Sequence, residues 1–353
     1  MYRLIVLDKT RMYPIALAVL SAALFGAAAP FSKVLLHSVG TFHLAGLLYL
    51  GAAVGIAPIA IKDRNLIRLR QMNGKNRLRL AGAIIFGGIL APVFLLIGLK
   101  LASAASVSMW LPLELVATAI LGRLLFEEHL GLIGWFGLTG VMIAGILLGL
   151  GESNAGLKAG IYVSLACLCW GFDNNFTVLI DEISPSQITF WKGLAAGLFN
   201  LLLGIVAVGF NVELGSIGIS LLVGALFYGV SIMLYITAAQ SIGPTRGQMF
   251  FAAAPFFGVL ISVMILKESL NVIQLLSALL ILASLVLVFF DKHGHFHPHA
   301  ALVHMHRHRH DDGHHDHVHQ EAAPDVRHSH KHVHNAAEHS HSHLPDIHHR
   351  HDH

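Results

Sequence analysis

The 353 residues include 55% hydrophobic and only 12% charged side chains, whereas a typical soluble domain carries about 25% charged residues. Most of the molecular surface therefore faces something other than water, which excludes an ordinary soluble globular protein. The net charge of +3 adds little, because the placement of charges in a membrane protein is more informative than their sum.

Apolar runs of about 20 residues, the length that crosses about 30 Å of hydrocarbon, follow one another up to residue 290. Backbone groups in lipid must satisfy their hydrogen bonds internally, so each run is predicted to be one transmembrane helix. Only Lys100–Ser103 separates the third run from the fourth. The ten predicted helices cover residues 14–36, 41–61, 80–99, 104–125, 131–150, 157–180, 186–208, 217–239, 246–266 and 271–290.

Lysine and arginine predict the orientation, because loops rich in these residues remain in the cytoplasm. The link at 62–79 is the most basic, and a ten-helix count places it on the same side as the N-terminus and Lys292. The same count places three lysines on the opposite side: Lys100, Lys158 and Lys267. We therefore expect a multi-pass protein of the bacterial inner membrane with both termini in the cytoplasm.

The second half of the chain repeats features of the first half at a spacing of about 140–148 residues. The aligned pairs are Leu24–Gly26 with Cys169–Gly171, Thr41–His43 with Thr189–Trp191, and Leu125–Leu130 with Ile265–Leu270. Each unit holds five helices, and an odd number gives the two units opposite orientations. The sequence thus predicts an all-α membrane protein of two inverted repeats, at 1–150 and 151–290, with a substrate site near the midplane.

These aligned features resemble the EamA-type family of the drug/metabolite transporter superfamily over about residues 14–290. The family pattern places an aromatic residue and a glycine in the first helix of each half, as in Phe25-Gly26 and Trp170-Gly171. A lysine follows the first glycine by seven residues, at Lys33. A proline in the fourth helix of a half followed 13 residues later by a glutamate fits Pro255 and Glu268.

The sequence departs from this pattern in two places. Val178 stands where the second half would repeat the lysine, and Pro112 and Glu128 are 16 residues apart. The resemblance implies ten helices, alternating access, and export or exchange of small solutes. It identifies no particular solute.

Ionisable groups at mid-bilayer cost about 2.5–3.5 kcal/mol on insertion scales and usually face a cavity or a partner. Glu114, near the centre of the fourth helix, is a candidate proton acceptor or cation-binding carboxylate, because carboxyl groups away from water take up protons more readily. A structural bond to another helix is the alternative. Asp173, Asn174 and Asn175 offer a cluster of polar groups in the sixth helix.

Four further side chains complete the candidate transport residues and their neighbours. Lys33, through the resemblance, could neutralise an acidic solute or one of the carboxylates. Tyr228 and Tyr235 lie along the eighth helix and could bind a solute, while a polar contact between helices is the alternative. Lys192 is expected to extend its ammonium group to the membrane interface beside Trp191.

Residues 291–353 form a polar tail that holds 23 of the 26 histidines, mostly as His-x-His. Residues two apart point the same way in an extended chain, and neutral imidazole without thiolate suits Zn, Ni, Co or Cu(II). The low-complexity composition predicts a disordered cytoplasmic tail in the absence of metal. The candidate ligands are His293, His295, His297, His299, His304, His306, His308, His310, His314, His315, His317, His319, His328, His330, His332, His334, His339, His341 and His343.

The leading hypothesis is a secondary-active small-solute exporter that works by alternating access, with transition-metal ions or their complexes first among substrates and a metal-binding tail. One alternative is a metabolite, amino-acid or drug exporter of the same fold with a regulatory tail. Another is a membrane-anchored metal buffer or sensor without transport.

Enzyme chemistry is not expected, since the sequence has no Walker A, Gly-x-Ser-x-Gly or His-Glu-x-x-His motif. No cofactor is required, and the tail is expected to bind transition-metal ions such as Zn, Ni or Co. The expected partners are a small-molecule or ion substrate and the lipid bilayer. Nucleic acid is not expected as a partner, and a homodimer is left open.

Overall fold

Ten helices in the described part of the chain are long and apolar enough to cross a membrane, as predicted. The computed structural model describes residues 9–62, 69, 72–126, 130–151, 153–290, 293–299, 302–308, 328–334 and 337–343. The helices are α1 Lys9–Leu35, α2 Thr41–Lys62, α3 Gly74–Leu101, α4 Ala104–Leu125, α5 Leu132–Leu150, α6 Asn154–Val178, α7 Pro185–Val208, α8 Leu214–Ile242, α9 Pro244–Ile265 and α10 Val272–Phe290. Large apolar side chains such as Leu132, Val206 and Leu214 are exposed on the outside, where lipid would cover them.

The short link between α3 and α4 is enough to separate two spans. Ala102 adopts an extended conformation that ends α3. The hydroxyl group of Ser103 then accepts a hydrogen bond from the backbone N–H of Ser106 at 3.0 Å. Because a serine at this position satisfies an N–H group that the new helix leaves unpaired, α4 begins at once.

The third and fourth helices of each half are interrupted at equivalent places. A π-helical segment occupies Ile84–Leu90 in α3 and Gly224–Val230 in α8. The next helix breaks at 111–112 in α4 and at 252–253 in α9. Such segments and breaks leave backbone groups unpaired within the helix and often mark functional sites. The repeat in the sequence is therefore also a repeat of structure.

The two inverted halves interleave. Helix α1 packs against α8 and α9 of the second half, and α6 packs against α3 and α4 of the first. Helix α2 pairs with α7, and α5 pairs with α10. Each of these last pairs joins equivalent helices of the two halves, as expected for an inverted repeat. The division of the chain into units at positions 150 and 290 stays a prediction.

Close approach between the halves depends on the glycines of the aromatic-glycine motif. A β-carbon added at Gly26 of α1 would lie 2.5 Å from the carbonyl oxygen of Ala254 in α9. One added at Gly171 of α6 would lie 2.9 Å from the β-carbon of Ala117 in α4. Small residues allow helix backbones to approach in this way. The motif thus has a packing role at both crossings.

Contacts between links hold both ends of the helix bundle. On the side of the chain termini, the side-chain amide of Asn76 donates to the carboxylate of Asp181 at 2.7 Å. On the opposite side, the carboxylate of Glu268 accepts hydrogen bonds from the backbone N–H groups of Ala104 and Ala105 at 2.9 and 2.8 Å. Each contact joins links that ten crossings place on one side, in agreement with the predicted alternation.

The described residues of the tail include four short strands. They are β1 His293–His299, β2 Leu302–His308, β3 His328–His334 and β4 Ala337–His343. Strand β1 pairs with β4 and β2 with β3, both antiparallel. The strict alternation of histidine with other residues has the two-residue period of a strand, which explains the extended conformation. The register sets His295 opposite His341 and His306 opposite His330.

Candidate functional site

A cavity lies where α1, α4, α6, α7, α8 and α9 meet. Its volume is about 30 Å³, well below the range of about 300–1,000 Å³ that is usual for open small-molecule sites. Glu114 follows the break in α4 and Phe251 precedes the break in α9, so both interruptions border the cavity. The lining residues are Phe25, Glu114, Trp170, Asp173, Asn174, Thr177, Lys192, Ile232, Tyr235, Ile236 and Phe251.

Glu114 is buried, and its hydrogen-bond partner is an amide. The side-chain nitrogen of Asn174 donates to Oε1 of Glu114 at 2.8 Å. The same nitrogen lies 3.1 Å from the hydroxyl of Thr118 and 3.3 Å from Oε1 of Gln248. Asn174 therefore joins α6 to α4 and α9 at the wall of the cavity. Within the described chain, no ion pair joins Glu114 to a lysine or an arginine.

Asp173 forms an ion pair with Lys192. The two charged atoms are 2.7 Å apart, and the two residues are only 4% and 2% exposed. The hydroxyl of Thr177 also lies 3.1 Å from Oδ1 of Asp173. The prediction that Lys192 extends to the membrane interface was wrong. Its ammonium group instead neutralises the buried carboxylate of Asp173. A buried charge needs such a partner because it has lost its contact with water.

Three ionisable groups line the cavity, and their charges do not cancel when Glu114, Asp173 and Lys192 are all ionised. Asp173 and Lys192 neutralise one another, whereas among the described residues the side-chain partners of Glu114 are the amides of Asn174 and Gln248. A buried charge without an opposite charge is costly, and the group takes up a proton or recruits a counter-ion. The cavity is thus suited to exchange a proton or to receive a cationic group at Glu114.

Four aromatic side chains form much of the remaining wall. The rings of Phe25 and Trp170 are 5.6 Å apart at 82°, an edge-to-face contact. Phe251 lies 5.2 Å from Phe25 and 5.1 Å from Tyr235, measured between ring centroids. Phe25 and Trp170 are the aromatic members of the repeated motif, so each half contributes one ring from its first helix.

Three of the predicted site residues lie outside the cavity lining. Asn175 donates to the carbonyl oxygen of Gly171 at 2.9 Å and to that of Thr118 at 3.1 Å, which ties α6 to α4. Tyr228 is fully buried behind Phe25, at 5.7 Å between centroids. Lys33, in the last turn of α1, contacts the C-terminal end of α3. The predicted residues that do line the cavity are Glu114, Asp173, Asn174 and Tyr235.

Lys33 binds the end of a helix. Its ammonium group donates to the carbonyl oxygens of Leu99 and Ala102, the latter at 2.9 Å. These carbonyls lie at the C-terminus of α3, where a positive charge is favoured by the helix dipole. Glu268 caps the start of α4 directly beside this point. Lys33 and Glu268, which both match the family pattern, therefore meet at the α3–α4 junction. The sequence motif by itself does not indicate this proximity.

Sequence reasoning did not select Phe25, Trp170, Thr177, Lys192 or Phe251 as site residues. For Phe25 and Trp170 a signal was present, since both belong to the repeated aromatic-glycine motif. Lys192 carried a signal as well, because a lysine within an apolar run requires a partner. Phe251 and Thr177 had none, since apolar and hydroxyl side chains are common in every span.

Metal-ligating side chains do not gather in the described residues, where no group of three or more His, Cys, Asp or Glu could hold a metal ion. The histidine side chains of the tail, predicted as ligands, lie outside what the structure describes. Cys167 and Cys169 are unpaired thiols in α6, and Cys167 lies against the backbone of α4, 3.8 Å from the carbonyl oxygen of Trp110. Both thiols are buried in α6.

Ten spans, two inverted halves and a buried cavity between them that holds ionisable side chains are typical of a membrane transporter. The chain belongs to the EamA-like transporter family, whose sequence profile matches residues 12–150 and 157–290. It is similar to an uncharacterized transporter of Methanothermobacter thermautotrophicus, with 25% identity over 291 residues that cover 76% of this chain and 83% of the relative. A solved crystal structure superposes with a TM-score of 0.60 at 18% identity and covers 77% of this chain and 94% of its own, which supports the fold alone.

Proposed function

We propose that the protein is a secondary-active exporter of small organic solutes in which Glu114 is the coupling carboxyl group. The observation that carries the proposal is a buried carboxylate that forms no ion pair with any residue the structure describes, in a cavity to which both halves contribute. A carboxyl group in this setting can hold a proton in one state and release it in another. The equivalent breaks in α4 and α9 and the contacts at both ends of the bundle suit alternating access.

A transition-metal cargo has less support from the cavity than an organic solute. Zn, Ni and Co favour imidazole or thiolate ligands, and the lining supplies only carboxylate, amide, hydroxyl and ammonium groups. A metal buffer or sensor that merely uses the membrane as an anchor would need no buried carboxylates. The organic-solute exporter, with a tail that regulates it, therefore has more support than either alternative.

The tail is proposed to bind transition-metal ions on the cytoplasmic side of the bacterial inner membrane. Support comes from the His-x-His alternation and from the strand register, which sets three histidines of β1 opposite three of β4 and three of β2 opposite three of β3. Directly opposed residues in an antiparallel pair have β-carbons about 4.5–5.5 Å apart. Such spacing allows two imidazoles to share a metal ion. The basic link at 62–79 supports the cytoplasmic placement.

Proton movement tests the transport proposal even while the solute is unidentified. The full-length protein would be reconstituted in vesicles that contain a pH-sensitive dye and challenged with cationic, zwitterionic, neutral and anionic organic solutes, and with Zn, Ni and Co. At least one organic solute should cause proton flux that Glu114→Gln abolishes. Glu213→Gln makes the same chemical change at an exposed position and should preserve the flux.

Two results would refute the proposal. In the first, the metal ions but no organic solute cause flux that depends on Glu114, which would make metal the cargo. In the second, organic solutes cause equal flux in the wild type and in Glu114→Gln, so that Glu114 has no part in coupling.

A further inference from the structure

We infer that each pair of tail strands forms a metal site from three histidines of two strands, with one coordination position left open to exchange. The inference rests on the proposed metal binding by the tail and specifies how that site is built. It follows from three features of the strands: the face on which their histidines fall, the partners that the register assigns to them, and the separation of those partners along the chain.

The histidines of each strand pair all fall on one face. Residues two apart share a face of a strand, and residues directly opposite one another in an antiparallel pair share a face of the sheet. The β1–β4 pair therefore places its seven histidines on a single face, and the β2–β3 pair does the same with its seven. The opposite face of each described pair holds none. Each pair is thus divided into a histidine face and a face of other residues.

The register places histidines of two strands within range of a single metal ion. His295 lies opposite His341, and the next histidine along β1 is His297. The other pair repeats this arrangement around His306 and His330. The rise of a strand sets residues two apart about 6.6 Å from one another, and opposed β-carbons are about 4.5–5.5 Å apart. An imidazole extends beyond its β-carbon and a zinc–nitrogen bond adds about 2.0–2.1 Å, so three such histidines are able to bind one ion.

Three histidines of one face leave the metal with an open coordination position. Zinc in proteins favours four ligands in a tetrahedral arrangement. Ligands that belong to one face of a strand pair approach the ion from the same side, so the remaining position lies away from the strands. Water fills that position in zinc sites with three protein ligands. The metal in the tail therefore keeps a ligand that small anions can replace, unlike the metal in a closed structural site.

Metal binding by such a site closes the tail. Strand β1 begins at His293, directly after α10, and both β2 and β3 lie between it and β4 along the chain. The register is continuous, because His299 lies opposite Ala337 and, three residues further along each strand, Leu302 lies opposite His334. Both pairs therefore close as one hairpin. A metal shared between β1 and β4 holds the two ends of this hairpin together beside the end of α10.

Cobalt(II) tests the site in the full-length protein, because four-coordinate Co(II) absorbs visible light far more strongly than six-coordinate Co(II). The chain that ends at Lys292 supplies the background. Full-length protein loaded with Co(II) at neutral pH should show intense visible bands that the truncated chain lacks. Addition of azide, a small anion that can occupy the open position, should shift these bands.

Two triple variants of the full-length protein test the contribution of the second strand. One replaces the three histidines of β4 by serine and should lose about half of the band intensity, since one of the two strand pairs no longer completes its ligand set. The control replaces three histidines between β2 and β3 and should keep the intensity. Size-exclusion chromatography establishes that both variants are folded. The variants are His339→Ser/His341→Ser/His343→Ser and His314→Ser/His315→Ser/His317→Ser.

Three results overturn the inference while the tail still binds metal. Equal losses in the two triple variants would show that only the number of histidines counts, as in a flexible chain. Weak bands typical of six-coordinate Co(II) would contradict the three-histidine site. Bands that azide leaves unchanged would contradict the open position. If the full-length and truncated chains instead bind equal amounts of Co(II), the proposed metal binding by the tail is itself wrong.

Discussion

The ammonium nitrogen of Lys192 in α7 lies 2.7 Å from a carboxylate oxygen of Asp173 in α6, and both side chains are buried at the cavity. The pair joins consecutive helices of the second half on the wall that faces Glu114. This ion pair determines the charge of the site, because it neutralises one of the two carboxylates and occupies the only lysine of the described lining. Glu114 is then the group left to bind a proton or a cation.

Lys192→Met should destabilise the protein strongly, by about 3–5 kcal/mol, because it leaves Asp173 as an uncompensated buried charge. The double variant Lys192→Met/Asp173→Asn should recover much of the loss, since both charges are gone. Thermal unfolding in detergent measures both effects. Lys158→Met, at an exposed position of α6, is the matched control. Equal stability of Lys192→Met and Lys158→Met would contradict a structural ion pair.

Glu268→Ala should weaken the α3–α4 junction by about 1–2 kcal/mol, the usual cost of losing a helix cap. The carboxylate of Glu268 accepts from two N–H groups at the start of α4, and nothing in alanine can replace it. Glu213→Ala is the control, because Glu213 precedes α8 without a capping hydrogen bond from its side chain. A thermal unfolding series compares the two. A loss in Glu213→Ala as large as that in Glu268→Ala would argue against the capping role.

Gly171→Leu should prevent the close crossing of α6 and α4. A β-carbon at this position already lies 2.9 Å from that of Ala117 and 3.0 Å from its carbonyl carbon, so backbone would have to move. The expected result is a strong decrease in monodisperse protein on size-exclusion chromatography. A β-carbon added at Gly218 in α8 meets no atom within 4 Å, so Gly218→Leu should elute as the wild type does. Normal elution of Gly171→Leu would show that the crossing can relax.

Removal of the tail after Lys292 should leave insertion and basal transport intact, because all ten spans and the cavity precede it. The isolated segment 293–353 should bind several Zn or Ni ions at neutral pH and release them as the pH falls through about 6, since protonated imidazole cannot ligate. Calorimetry measures the binding. Growth curves over Zn, Ni and Co, at equal expression of full-length and truncated protein, measure the response. Superimposable curves for all three metals would mean that the tail has no regulatory role in metal response.

Much of the architecture follows from the sequence by itself, for physical reasons that are local. The length of each apolar run determines a span, because lipid leaves no water to pair with an exposed backbone. The four residues between the third and fourth runs were enough to predict two separate spans, and the structure adds the capping hydroxyl of Ser103 at the start of α4. The burial of Glu114 was also predictable, since a lone carboxylate in an apolar run must lie inside the protein.

Only the tertiary structure decided which charged and aromatic side chains contact one another. Lys33 and Lys192 are both lysines within apolar runs, yet one caps α3 and the other pairs with Asp173. The difference depends on where neighbouring helices place carbonyl oxygens and carboxylates, and no local pattern records that placement. Phe251 reached the cavity for the same reason: α9 crosses α1 at Gly26, which brings its ring to Phe25. Charge pairing and wall composition are properties of helix packing, because they arise between residues far apart in the chain.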